Sequence, residues 1–333
     1  MTLLFSEEFD MSTNHVIDWF IYSNKKVLRY NGNEVSYGEN GFEFNFIDKE
    51  INFYLGNNSI ENKKDNLNEV KSVWFRRPYS GIKDIKSKLN NNTSFIPKQY
   101  LERAIDYNKK ILKDFLVEKI SNTRRLGSYK ITGLNKPIVL KMAAEIGLKI
   151  PKTIITNSKE SLVNFFHTND RLIITKALHE AFRYVPKNEG FWISNKTVLI
   201  NSINNIPDVF APSILQEYIH KKYEIRSFYL DGKFYSGAIF SQKNEKTKID
   251  FRNYDDDYPN RIVPFELPDK IKEKLYFLMT TLKLNSGSID LIKSKKGDYI
   301  FLEINPVGQY GFLSAACNFN IDYEIYKYLT YER

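Results

Sequence analysis

Two apolar runs near the end of the chain constrain it more than any other feature. They are Ser288-Ile289-Asp290-Leu291-Ile292 and Tyr299-Ile300-Phe301-Leu302-Glu303-Ile304-Asn305-Pro306. Both have strand length, and they flank Lys295-Lys296-Gly297-Asp298, whose central Lys-Gly suits a two-residue hairpin turn. Closing the hairpin around Lys296-Gly297 sets Asp290 opposite Glu303. Strand alternation then places Glu303 and Asn305 on one face, with Ile300, Leu302 and Ile304 on the other. Two carboxylates and an amide oxygen converge on a rigid sheet. Three hard oxygen donors, with no His or Cys among them, suit Mg²⁺, which keeps several waters and usually arrives with phosphates. The plainer alternative is a buried strand pair whose polar residues merely end it. A lone Asp would favour that alternative; the three residues together favour the metal.

At 333 residues the chain exceeds what one hydrophobic core usually supports, so two or three subdomains are expected. No apolar run approaches the length that spans a bilayer, which argues against a membrane segment. Met1-Thr2-Leu3-Leu4-Phe5, followed by Glu7 and Glu8, lacks the basic start and long apolar stretch of a signal peptide. Cys317 is the single cysteine, so no internal disulfide can form, in keeping with a reducing, cytoplasmic location.

The net charge of +9 is unevenly placed. Residues 1–120 carry 18 basic and 17 acidic side chains, and residues 201–333 carry 18 of each, so both blocks are near neutral. Residues 121–200 carry 13 basic against 5 acidic, which makes that block a candidate for binding something anionic. Nucleic acid is disfavoured, because Lys and Arg are dispersed rather than interleaved with stacking aromatics. Nucleotide phosphate or an acidic peptide needs fewer charges. A solvated basic face with no ligand is the competing explanation.

The pattern predicts strands at 3–5, 27–30, 42–46, 51–55 and 70–75, with polar loops over 56–68 and 81–98. Thr13 or Asn14 is the expected cap of a helix running through Val16, Ile17, Trp19 and Phe20, and 99–120 has helical spacing. Pro137 to Ile146 reads as a helix closed by Gly147, and Ser158 caps another to about Phe166. Further strands are expected at 150–155, 171–176, 214–219, 224–230, 233–240 and 248–251. Asp231-Gly232 makes a hairpin turn, and a helix spans 269–282.

Several cations and acceptors sit at chemically useful places. Lys176 closes a strand, and Lys136 stands at a helix start, where free N–H groups and the helix dipole favour phosphate. Gln216-Glu217-Tyr218-Ile219 could offer a strand edge whose backbone reads adenine, and Glu224 could accept from ribose hydroxyls. Arg226, on the same strand face as Glu224, could clamp a carboxylate or phosphate bidentately. A surface Glu–Arg pair would explain those two residues equally well. Asp250-Phe251-Arg252-Asn253 adds a fixed cation and an amide, and Arg commonly stabilises charge on a transferring phosphoryl group. Neither GxxxxGK[ST] nor GxGxxG occurs, and His15, His167, His179 and His220 stand in unrelated contexts.

Taken in order, Lys136, Lys176, Gln216 to Ile219, Glu224-Ile225-Arg226, Asp250 to Asn253, Asp290 and Glu303-Ile304-Asn305-Pro306 resemble the ATP-grasp ligases. That resemblance implies an α/β (α+β) fold with an N-terminal pre-ATP-grasp domain at 1–120. A central subdomain at 121–212 and a C-terminal ATP-grasp subdomain at 213–333 would follow. It implies ATP bound by Lys136, Lys176, Gln216, Glu217, Tyr218, Ile219, Glu224 and Asn253. Mg²⁺ would lie on Asp290, Glu303 and Asn305, with Arg226 and Arg252 catalytic. A closer likeness rests on Val73-Trp74-Phe75-Arg76-Arg77-Pro78, Ser241-Gln242, Thr247 to Arg252, Pro259-Asn260-Arg261, Leu284 to Asp290 and Asn305 to Tyr310. These are similar to the graspetide synthetases, macrocyclases of ribosomal peptides, nearest to the grasp-with-spasm branch.

The substrate so implied is a precursor peptide with a leader and an acidic core, met by Arg76, Arg77, Arg124, Arg125 and Arg183. Neither nucleic acid nor membrane is an expected partner, and a homodimer is left open. Two departures stand out. Glu224 replaces the Asp of an Asp-x-Arg motif, and no Gly-rich phosphate loop follows Lys176 beyond Glu189-Gly190. The rivals are a ligase for a free amino acid or small metabolite, and a nucleotide-binding protein without catalysis.

Overall fold

The computed structural model describes residues 1–7, 9–31, 41–45, 50–54, 64–77, 98–120, 122–131, 133–178, 183–184, 193–194, 197–253, 255 and 257–331. The chain forms two compact units, Met1–Thr132 with Asn320–Arg333, and Gly133–Phe319. Residues 121–132 and the C-terminal segment therefore group with the N-terminal unit, unlike the sequence-based division. The reasons are contacts between segments far apart in sequence. Arg124–Leu126 pairs in parallel with Ser72–Phe75, and the helix Ile321–Thr330 stacks Tyr326 edge-on against Phe20 of the helix Met11–Tyr22.

The N-terminal unit is built on a parallel sheet in the order Val27–Tyr30, Thr2–Phe5, Ser72–Phe75, Arg124–Leu126. The two central strands are buried along their whole length, as parallel strands covered on both faces are. Leu3, Phe5, Leu28, Val73, Phe75, Ile120 and Tyr129 form its core. A separate antiparallel meander joins Gly41–Asn45, Glu50–Tyr54 and Lys64–Asn66, so part of the expected polar loop is a strand. The long helix Lys98–Lys119 lies where helical spacing placed it.

Asp10, not Thr13 or Asn14, caps the first helix, because its Oδ1 accepts the Thr13 N–H at 2.9 Å. The same carboxylate meets Arg77 Nε at 2.6 Å and Arg76 Nε at 3.4 Å. Burial would push the Asp10 carboxyl up, but Arg76 and the Arg77 hydrogen bond outweigh it and hold the group below its ordinary range. Arg76 is only 2% exposed, so this arginine, expected to meet a peptide, instead locks the helix start to the sheet. Arg77 also lies 2.8 Å from Glu7 Oε1. Arg124 is likewise engaged, packed over the rings of Tyr328 and Tyr331 at 4.0 and 4.7 Å. The Arg125 carbonyl accepts the Tyr328 hydroxyl, so this arginine pair fastens the C-terminal helix within its own unit. Asp10→Ala is expected to lose about 3–5 kcal/mol, because it removes the carboxylate that pairs with the buried Arg76 guanidinium. Asp10→Asn, which still caps, should lose less. Urea unfolding followed by tryptophan fluorescence checks both.

Among its described residues the second unit holds two large antiparallel sheets and a short antiparallel pair, Arg183–Tyr184 with Ile193–Ser194. The first runs Val198–Ile200, Ile173–Lys176, Ser213–Glu217, Thr153–Thr156. The helix Lys159–Thr168, capped by Ser158 as expected, lays Leu162 and Phe166 on Ile173, Ile200 and Leu215. The second sheet runs Arg261–Pro264, Lys233–Phe240, Lys221–Leu230, Ser286–Ser294, Tyr299–Asn305. Asp231 and Gly232 join two of its strands with φ of 44° and 96°, as a two-residue type I′ turn requires. Residues 248–251 are not a strand. The Thr247 and Lys248 N–H groups donate to the Asn244 carbonyl and the Arg252 N–H to Asp250 Oδ1, local bonds that replace a ladder.

The final hairpin differs from expectation in two places that cancel. Its loop has three residues, Lys295 to Gly297, with the Gly297 N–H on the Ser294 carbonyl and Gly297 at φ 94°. That shortens the pairing by one. A bulge at Leu302 restores it, so Leu291 faces Phe301 while Asp290 faces Glu303. The expected Asp290–Glu303 pairing is therefore present, but Leu302 is not on the opposite face: it lines the same cleft as Glu303.

Candidate active site

Between the two large sheets of the second unit lies a cleft open to solvent. Its apolar wall includes Pro151, Ile174, Ile219, Ile249, Ile292 and Leu302, and its polar wall Lys176, Glu224, Asp250, Arg252, Asp290 and Glu303. Gln216 to Ile219 line it too. Their strand is interior rather than an edge: Gln216 pairs with both Thr153 and Ile174, and the Glu217 and Tyr218 N–H groups donate to Lys152 and Leu172. Ile219 is the first residue past that ladder. The Gln216 amide gives its Nε2 to Thr153 Oγ1, leaving a buried Oε1 with no hydrogen-bond partner, an acceptor suited to an exocyclic amine.

Three charged residues stand in a row across three strands: Arg226 faces Asp290, and Asp290 faces Glu303. Glu303 is the hub for cations. Arg252 Nη1 donates to its Oε1 at 2.8 Å, and Lys136 and Lys176 Nζ lie 3.5 and 3.9 Å from Oε2. Burial opposes ionisation of Glu303, but Arg252, Lys176, Lys136 and Arg226 together hold its carboxyl at about 2. Asp290 goes the other way. Its burial and the neighbouring Glu303 charge raise its pKa, against the pull of Arg226 and Arg252. Arg252 is itself gripped by both oxygens of Asp250, at 2.8 and 2.7 Å, and Asp250 also accepts from Thr197.

Lys136 opens the helix Lys136–Glu145, capped by Asn135, and donates to the Ala177 carbonyl. Lys176 is deeply buried, and burial lowers its pKa despite Glu303. A lysine of lowered pKa loses its proton at a pH where an ordinary lysine keeps it. ADP affinity should therefore weaken as pH rises, before the range near 10 where an ordinary lysine titrates is reached, and Lys176→Arg, which stays charged, should flatten the profile. Calorimetric titration at rising pH checks it.

Glu224 lines the cleft, but both its oxygens are in use, Oε1 by Lys221 Nζ at 2.7 Å and Oε2 by the Ser241 hydroxyl at 2.6 Å. Any ribose contact must use a remaining lone pair. Lys221, 2% exposed, also donates to the Ile249 carbonyl. It escaped sequence reasoning because residues three apart on a regular strand face opposite sides; a bulge between Lys221 and Tyr223 turns it onto Glu224. Phe312 escaped as well. With Phe251 it packs against the Arg226 guanidinium, at 5.7 and 5.3 Å from the ring centres.

Four expected residues, Lys136, Arg226, Asn253 and Asn305, are not among those lining the cleft. Asn253 gives its N–H to the Asp250 carbonyl and sits in a turn. Asn305 Oδ1 accepts from the N–H groups of Val307 and Gly308, both at 3.1 Å, and reaches a metal only by releasing one. Gly308 is required there: a Cβ would stand 2.7 Å from the Ser288 nitrogen. The close pass sets the Gln309 carbonyl near the Ser288 hydroxyl and Arg226. The side chain of Arg183, in a two-residue strand, and the pair Glu189-Gly190 lie outside the described residues.

No family model matches the chain, and no curated protein matches it in sequence. Solved structures do. A ribosomal-peptide-associated ATP-grasp ligase from Chryseobacterium gregarium, in complex with ADP and a leader and core peptide, superposes with a TM-score of 0.80 at 24% identity, over 99% of this chain and 96% of that one. The macrocyclase MdnC from Microcystis aeruginosa, bound with its precursor peptide MdnA, gives 0.77 at 26% identity over 100% of both chains. The chain has the ATP-grasp ligase fold. PsnB, an ATP-grasp ligase complexed with a minimal precursor, Mg and ADP, shares that fold at a TM-score of 0.70 and 14% identity, over 99% of this chain and 96% of that one.

Within the ATP-grasp fold the carboxylates fit a magnesium ion. Asp290 Oδ1 and Glu303 Oε2 are buried without a hydrogen-bond partner, two hard donors on adjacent strands. Among the described residues no cluster of three or more His, Cys, Asp or Glu forms a metal site, so water and phosphate must complete the shell. No described helix is long and apolar enough to cross a membrane.

Proposed function

We propose that this protein is a graspetide synthetase, an ATP- and Mg²⁺-dependent ligase that closes macrocycles in a ribosomal precursor peptide with a leader and an acidic core. The observation that carries the reading is Glu303, an ionised carboxylate ringed by Lys136, Lys176 and Arg252 beside the buried donor of Asp290. Full-length likeness to MdnC and to the Chryseobacterium ligase, both solved with peptide, supports a peptide substrate. An Asp or Glu side-chain oxygen of the core attacks the γ-phosphorus of ATP, releasing ADP and leaving an acyl phosphate. A Thr or Ser hydroxyl, or a Lys amine, of the same peptide attacks the acyl carbon. Phosphate departs, the nucleophile loses its proton, and an ester or amide ring closes.

Each described residue has a part. Lys136, Lys176 and Arg252 neutralise charge on the nucleotide phosphates, Asp250 fixes Arg252 in place, and Arg226 receives the core carboxylate. Asp290 and Glu303 would hold Mg²⁺, which would supply positive charge to offset that of the phosphates. The cytoplasm is the compartment such chemistry fits, since ATP is supplied there. A second copy of the chain is not needed for any of these contacts. Incubating acidic peptides encoded beside the gene with ATP and Mg²⁺, followed by mass spectrometry, tests the reading. Loss of about one water per ring, with stoichiometric ADP, is expected. Ligation of a free amino acid with no peptide dehydration would overturn it.

A further inference from the structure

The buried pair Arg226–Asp290 gives each partner two occupations. In the proposed reaction Asp290 is one of the two carboxylates that hold the metal, and Arg226 receives the acceptor carboxylate. Yet the two hold each other. Arg226 Nη2 donates to Asp290 Oδ2 at 3.0 Å, and the residues face one another across adjacent strands. The second contact is incomplete. Arg226 Nε lies 2.7 Å from Asp290 Oδ1, at an angle that makes no hydrogen bond, and both atoms are buried without another partner. Arg226 Nη1 reaches the Gln309 carbonyl only at 3.4 Å. A fork and a carboxylate that could close two parallel bonds close one.

The surroundings of Arg226 persist if that pair opens. Phe251 and Phe312 pack against the guanidinium, and neither lies on the strand of Asp290: Phe251 lies within the Asp250–Asn253 turn that grips Arg252, and Phe312 on the helix Gly311–Cys317. The arginine therefore has an aromatic seat that keeps it in position without its counter-ion.

We propose that Asp290 is a metal-released latch on Arg226: metal on Asp290 withdraws the carboxylate charge from the guanidinium and frees its fork for the acceptor carboxylate. The latch rests on the ligase reading given above. It makes Asp290 a positioning residue for Arg226 as well as a metal ligand. Its consequence is an order of events, with magnesium nucleotide loading before the acidic side chain is gripped. An acceptor carboxylate arriving first would meet an arginine already neutralised by a buried partner.

The test reads Arg226 itself. In full-length protein labelled at arginine Nε, the Arg226 Nε–Hε signal is assigned by its loss in Arg226→Lys. Rotation about its Cζ–Nε bond should be hindered in the free protein and with ADP plus EDTA. It should be faster by about tenfold or more with ADP and Mg²⁺, the change that one charge-assisted hydrogen bond represents. Asp290→Asn should show the fast rotation with no metal present. Rotation as slow with ADP and Mg²⁺ as with ADP and EDTA overturns the latch, and so does slow rotation in Asp290→Asn. A second arm uses a synthetic peptide alternating Thr and Glu, whose affinity should rise about tenfold from ADP–EDTA to ADP–Mg²⁺. Absence of peptide binding in every state, with Arg226 released on schedule, counts against the peptide substrate and leaves the latch standing.

Discussion

Glu303→Gln is expected to lower turnover by about 10²–10³-fold while tightening the binding of ADP in the absence of magnesium. The first effect follows from charge. Replacing an isosteric carboxylate by an amide removes a metal donor at the point where phosphate charge is stabilised, and losses of that kind run to this size. The second follows from the hub geometry. In the free protein Glu303 takes a hydrogen bond from Arg252 at 2.8 Å and lies within 3.5 and 3.9 Å of the Lys136 and Lys176 ammonium groups. Phosphates arriving without metal must compete with that carboxylate for the same three cations. Neutralising Glu303 removes the competitor, so metal-free ADP affinity should rise by about tenfold, the worth of one charge-assisted contact. Calorimetry with ADP, with and without magnesium, separates the two effects. A variant whose metal-free affinity falls along with its turnover would show that Glu303 holds the cations in place rather than opposing phosphate.

The charged strand residues beside the cleft were legible in the sequence because strand alternation and charge suffice to align them. Glu224-x-Arg226 and Glu303-x-Asn305 each present two polar side chains on one face, and the Asp290–Glu303 pairing needs only a hairpin of about the right length. That pairing was reached through two errors that cancel, a loop one residue too short and a bulge unforeseen at Leu302. Composition does not announce a bulge, since it arises from how the strand bends against its neighbours. The same cause hid Lys221, which a regular strand would have pointed away from Glu224.

The basic block at 121–200 shows where charge counting fails. Its excess was legible, but its division between ligand and scaffold was not. Lys136 and Lys176 do approach Glu303, whereas Arg124 is stacked on Tyr328 and Tyr331, two hundred residues on, which no local pattern pairs with it. Arg76 and Arg77 carried the same ambiguity. Only the burial of Asp10 decides that Arg76 is structural. Long-range pairings of this kind set the unit boundary as well, since the C-terminal helix joins the first unit through aromatic packing with a helix at the opposite end of the chain.

Arg226→Lys should abolish peptide dehydration while leaving nucleotide binding and folding near wild type. Alanine is the wrong choice at this position. It would leave Asp290 buried without its counter-ion, at about 3–5 kcal/mol, and lost activity could then mean only lost structure. Lysine keeps the charge beside Asp290 and the metal donors intact, but replaces a planar fork by a single ammonium. The acceptor carboxylate and its acyl phosphate need two parallel donors to hold the reacting oxygen in line, and misplacement by about 1 Å costs roughly 10²-fold. Lys176→Ala supplies the contrast, because its ammonium lies by Glu303 among the cations for phosphate, so it should weaken ADP binding first. Calorimetry for ADP and mass spectrometry for dehydrated peptide should therefore split the two variants in opposite directions. Equal loss of ADP affinity in Arg226→Lys and Lys176→Ala would move Arg226 from the carboxylate to the nucleotide.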